Sequence, residues 1–131
     1  EYIIRDHDRE KFEEKKALMT KAGEQVQAAH PTAKIVVDIR NSYYNMKDQL
    51  AGCMHLVENA KEAARMAGVE PVVEPIRGGT DGARLSYMGL PCPNLGTGAG
   101  NFHGPLELAC VEQMDSVVEI LKNIVAMYAK G

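Results

Sequence analysis

The chain has 131 residues, of which 45% are hydrophobic and 25% charged, with 15 basic against 18 acidic side chains and no Trp. That is one domain's length, enough to bury a core, and a net charge of −3 with bases interleaved among acids offers no field for nucleic acid or anionic lipid. No apolar run approaches the roughly 20 residues that cross a bilayer and no secretion signal opens the chain, so no membrane partner and a cytoplasmic location are expected.

The first residue is Glu, not Met, and an apolar run follows at once, as expected of a sequence that starts inside a longer one. Residues 2–5, YIIR, predict a short strand. Residues 6–30 predict a long helix capped by Asp8, with Glu10 at its positive end and Phe12, Met19, Ala22, Val26 and Ala29 at helical spacing. Pro31 stops it. Residues 33–44, AKIVVDIRNSYY, return to a period of two, so the first 45 residues predict a β-α-β unit.

A boundary is expected around Asn45 to Leu50. Beyond it Leu56, Ala60, Ala63, Ala64 and Ala67 line a second helix that Gly68 can end in the left-handed conformation. Residues 69–76 and 90–95 predict strands, with Pro71 and Pro75 at the ends of the first or on an edge, and a short helix or turn over 82–89 between them. Residues 107–128 predict a helix whose stripe of Val111, Met114, Val117, Val118, Leu121, Ile124, Val125 and Tyr128 is expected to pack on a sheet. The order β-α-β then α-β-α-β-α predicts an α/β (α+β mixture) architecture. The three cysteines, Cys53, Cys92 and Cys110, are odd in number and lack CxxC spacing, so all three are read as reduced. The methionines are read as core filling.

Eight of the twelve glycines fall within residues 74–104. In RGGTDG, residues 77–82, paired glycines can bring backbone close to a ligand, and Thr80 and Asp81 offer oxygens; a tight turn with Asp81 as helix cap is the structural alternative. The spacing matches neither nucleotide fingerprint. In GTGAGNFHG, residues 96–104, glycine flanks His103, which reads as a cavity-facing imidazole or as a surface-loop histidine. Arg5 can hold a carboxylate or pair with Asp6 or Asp8. Arg77 and Arg84 carry the same two readings.

The segments YIIRDHDREKFEEKKALM, SYYNMKD, EPIRGGTDGARLSYMGLPCPNL and NFHG resemble, in that order, the tripeptide aminopeptidases of the co-catalytic zinc aminopeptidase and carboxypeptidase family. The resemblance covers nearly the whole chain but only the C-terminal part of family members. It implies that residues 1–46 form the second half of a β-α-β-β-α-β lid, which makes a homodimer contact, and residues 47–131 the closing segment of the catalytic domain. It further implies two zinc ions, with His103 as one ligand and the other ligands and general base upstream. Arg5 matches a lid arginine that holds the peptide's C-terminal carboxylate, and Arg77, Gly79 and Thr80 match a loop lining the cleft for short peptides. No residue present matches a catalytic base, so this stretch alone is expected to be inactive. Relatives carry an aromatic near Gly96 and Gly-Tyr at Ala99-Gly100, so the pocket's shape is expected to differ. The alternative reading is a non-catalytic binding or dimerisation module that keeps the peptidase fold.

Overall fold

Asp8 starts the first helix. Its carboxylate accepts the Lys11 backbone N–H at 3.0 Å, satisfying one of the donors a helix N-terminus leaves unpaired, and α1 runs Arg9–Ala29 with Glu10 in its first turn. The computed structural model describes residues 1–76 and 78–129 of the chain. After α1 come α2 (Lys47–Leu50), a 3₁₀ turn (Ala51–Cys53), α3 (His55–Met66), α4 (Asp81–Tyr87), the two-residue strands β1 (Ala99–Gly100) and β2 (Leu108–Ala109), and α5 (Val111–Ala129). The fold is therefore mixed helix and small sheet, compatible with the expected α/β class.

The segment after α1 lies back along the helix that precedes it. Gln27 accepts the Ile35 backbone N–H at 2.8 Å and donates to the Ala33 carbonyl at 2.8 Å. Val37 packs against Gly23, where an added Cβ would overlap its methyl. Further along, Lys16 Nζ donates to Asn41 Oδ1 at 3.1 Å, and the Tyr44 ring meets Phe12 edge-on at 5.8 Å. The partners 35 with 27, 37 with 23, 41 with 16 and 44 with 12 define an antiparallel course.

This corrects the strand expectation for residues 33–44, and likewise for 2–5, 69–76 and 90–95, none of which belongs to a ladder. A strand needs a neighbour to exchange N–H and C=O with, and side-chain alternation supplies none. Pro71, Pro75, Pro91 and Pro93 also remove donors from two of these stretches. Among the described residues the ladder is β1 with β2, antiparallel, pairing Ala99 with Ala109 and Gly100 with Leu108.

The second expected helix is interrupted. Residues 47–50 are helical, 51–53 tighten to a 3₁₀ turn containing Gly52, and α3 begins at His55. Its end is as expected, with Gly68 at φ +76 and the Val69 N–H returning to the Ala64 carbonyl at 2.9 Å.

α5 starts at Val111, four residues later than expected, and packs on α3 instead of a sheet. Ala63 is fully buried, its small side chain letting the two helices approach, and its carbonyl accepts from Asn123 Nδ2 at 3.1 Å. The α5 face beside Asn123 carries the half-buried Val117, Ile120, Ile124 and Met127. The rest of the expected stripe, including Val118, Leu121 and Val125, stays exposed. Nor are the methionines all core filling: Met88 is 81% exposed. Among the described residues the buried apolar side chains are Leu50, Ala63, Ala64 and Ala83.

Candidate functional site

The glycine loop leads into α4. Thr80, in extended conformation, is the cap: its Oγ1 accepts the Ala83 N–H at 3.2 Å and Asn94 Nδ2 at 3.2 Å. This corrects the expectation of Asp81 as cap, because Asp81 already occupies the first helical turn. With both acceptor positions of Thr80 used, only its O–H proton remains to donate. Gly82 is buried beneath the return of the chain. A Cβ there would lie 2.6 Å from the Cys92 carbonyl oxygen and 2.9 Å from Asn94 Oδ1. Ser86, 1% exposed, closes this turn by donating to the Gly82 carbonyl at 2.7 Å and accepting the Cys92 N–H at 3.0 Å.

On the outer side of this support Gly79, Thr80, Asp81 and Arg84 line an open groove of about 500 Å³ together with Tyr43. Asp81 and Arg84 are both exposed, so the groove presents opposite charges one helical turn apart. Arg77, expected beside them, lies outside the described residues.

His103 stands in the loop of the β1–β2 hairpin. Gly98, at φ +77, turns the chain into β1 while passing close to α5, where a Cβ would come within 2.6 Å of the Met114 backbone nitrogen. Its carbonyl accepts the Cys110 N–H at 2.9 Å. Inside the loop, Gly104 N–H donates to the Asn101 carbonyl at 3.0 Å and Asn101 Nδ2 to the Leu106 carbonyl at 3.2 Å. The Glu107 carboxylate accepts the His103 backbone N–H at 3.2 Å. Asn101 at φ +55 and His103 at φ +63 occupy the left-handed region, which is sparsely populated by side chains other than Gly and costs a few kcal/mol at most per residue, about 1–3. The imidazole is exposed on this fixed loop.

Arg5 is exposed on the segment that precedes α1. Its carbonyl accepts Lys15 Nζ at 3.0 Å, but the two neighbouring carboxylates are engaged elsewhere: Asp6 pairs with Lys15 at 2.6 Å and Asp8 caps α1. The Lys15 hydrogen bond, then the Asp8 backbone N–H, hold the Asp6 carboxyl below its ordinary value. The structure thus gathers Gly79 and Thr80 in one groove, while Arg5 and His103 are not among its lining residues.

Four contributors were missed by the sequence reading: Tyr43, Asn94, Ser86 and Glu107. Only the small, buried Ser86 and the chain crossing at Gly82 explain why the loop is where it is, and neither has a spacing signature.

The resemblance implies two zinc ions. A zinc site takes four donors at about 2.0–2.3 Å. Among the described residues no group of three or more His, Cys, Asp or Glu is placed to hold a metal ion, so these residues alone do not fit such a centre. Cys53, Cys92 and Cys110 are unbridged, and the Cys110 thiol donates to Glu112 Oε2 at 3.1 Å. No helix of the described residues is long and apolar enough to cross a membrane.

Along nearly its whole length the chain is similar to known peptidases. They are peptidase T proteins: that of Alkaliphilus oremlandii (strain OhILAs) is 48% identical over 129 residues, that of Shewanella pealeana 47% and that of Vibrio parahaemolyticus 49% over the same length. Each match covers 98% of this chain and 32% of the relative. The chain is homologous to peptidase T and spans about a third of the length of the curated relatives it matches. No family model matches it.

Proposed function

We propose that this chain is the C-terminal portion of a zinc-dependent aminopeptidase that releases N-terminal residues from tripeptides, and that it is inactive in isolation. The observation that carries this reading is identity of 43–49% to peptidase T sustained over 98% of the chain. The strained placement of an exposed imidazole supports it: a left-handed His103 fixed by Glu107 and by the hairpin is a conformation kept at a local energetic cost, a feature concentrated at functional sites.

In this reading residues 1–46 belong to a lid that carries the homodimer contact, and residues 47–131 to the catalytic domain. His103 supplies one of the ligands to a pair of zinc ions, and the remaining ligands and the general base come from polypeptide outside this chain. Arg5 holds the C-terminal carboxylate of a short peptide by the bidentate geometry open to a guanidinium. Arg77, Gly79 and Thr80 line the cleft near the peptide backbone. The Thr80 proton is its one remaining hydrogen-bonding valence, so Thr80 would donate to a peptide carbonyl.

The test is an assay of tripeptide hydrolysis by this chain with added zinc, beside a polypeptide of the relatives' full length. The expected result is turnover by the long form alone; robust turnover by the 131-residue chain would overturn the reading.

A further inference from the structure

We propose that Tyr43 is a substrate-positioning residue, its hydroxyl donating to a peptide carbonyl in the groove beside Gly79. The proposal rests on the reading of residues 77–80 as cleft-lining, and adds to it a residue from the other sequence unit. Three observations carry it. Tyr43 is half-buried and forms a wall of the groove that Thr80, Asp81 and Arg84 also line. It approaches the Gly79 backbone so closely that a Cβ on Gly79 would overlap both its hydroxyl and its ring. Among the described residues the tyrosine hydroxyls in hydrogen bonds are those of Tyr44 and Tyr87, not Tyr43.

The adjacent residues explain why Tyr43 is held there. Tyr44 packs against Phe12 on one side and Tyr87 on the other, with ring centroids 5.8 and 6.4 Å apart, and the Arg9 guanidinium lies 4.7 Å from its centroid. Asn45 ties the same stretch in both directions, its carbonyl accepting the Tyr87 hydroxyl at 3.0 Å and its Nδ2 donating to the His7 carbonyl at 3.3 Å. Residues 44 and 45 thus fasten the connection to α1 and α4, and Tyr43 is presented to the loop that precedes α4. A phenol on so short a tether is pre-organised, which reduces the ordering entropy that binding must overcome. The ring occupies the space that a side chain on Gly79 would need.

The experiment is an NMR titration with trialanine of a metal-free, ¹⁵N-labelled polypeptide of the relatives' full length, following the Gly78–Ala83 amides in the wild type, Tyr43→Phe and Gly79→Ala. Tyr43→Phe keeps the ring and removes only the donor, so α4 amide exchange should be unchanged while trialanine affinity falls about fivefold, the scale of one neutral hydrogen bond. Gly79→Ala should shift the Tyr43 ring resonances and weaken binding at least as much. Equal affinity in the wild type and Tyr43→Phe would overturn the role of Tyr43 while leaving the cleft-lining loop standing. Absence of any trialanine-dependent shift in the wild-type loop would overturn both.

Discussion

At the scale of single residues, backbone conformation separates His103 from the other histidines. Its φ of +63 makes the position sensitive to side-chain shape in a way that an ordinary surface loop is not. A β-branched side chain in this region is a steric outlier, so His103→Val should be less stable than His103→Gly by about 1–2 kcal/mol, measured by urea unfolding. Equal stability would mean that the loop relaxes and stores no strain. Thr80 offers a second residue-level check. Loss of its cap in Thr80→Ala should lower stability by about 1 kcal/mol, and Thr80→Ser should restore it. The glycines around residue 103 were legible in the sequence as a loop that could expose the imidazole; its left-handed backbone was not. The contribution of Glu107 was not, because a carboxylate that accepts a backbone N–H four residues earlier has no signature distinct from a solvated surface acid.

Elements were legible where they depend on near neighbours. Asp8 and Gly68 mark helix ends through contacts a few residues away, and those ends form as read; the short helix expected over 82–89 forms at Asp81–Tyr87 with Thr80, not Asp81, as its cap. The strands were not, since a ladder depends on what lies alongside: residues 33–44 alternate like a strand and instead find their partners on α1, through Gln27 and Gly23. The α3–α5 contact was likewise hidden, because an apolar stripe shows neither what packs on it nor how much of it is covered. It depends on Ala63 being small, so Ala63→Leu should destabilise by about 1–3 kcal/mol in denaturant unfolding, through overpacking. An unchanged midpoint would place the helices farther apart than described. At the α1–α4 junction, partial burial and then the charge of Asp48 raise the Tyr87 hydroxyl above its ordinary value of 10.0. The unfolded phenol therefore loses its proton first. The stabilisation is complete below pH 10.0 and is lost as pH rises through the folded value, so alkaline unfolding should be shallower in Tyr87→Phe. A steeper alkaline limb in that variant would contradict the assignment.

For the whole molecule the imbalance between apolar content and burial is the governing fact. Val36, Val72, Val73, Val118 and Val125 are all more than half exposed, and the buried apolar side chains of the described residues are mostly alanines. Extended segments with exposed β-branched residues and unpaired backbone are templates for pairing with other strands. In the proposed reading the remaining two thirds of a peptidase T-like polypeptide supplies those strands, together with the metal ligands that His103 lacks. The likeness was legible in the glycine-loop and NFHG motifs; the architecture was not, because side-chain alternation along one segment does not say which neighbour it pairs with.

The most direct measurement compares His103→Ala with the wild type in a polypeptide of the relatives' full length, recording zinc titration and tripeptide hydrolysis together. Loss of a direct ligand should exceed the 10–100-fold effect of removing an outer-shell partner, so activity and zinc affinity should each fall more than about 100-fold. Undiminished hydrolysis and unchanged zinc affinity would contradict the assignment of His103 to the metal centre.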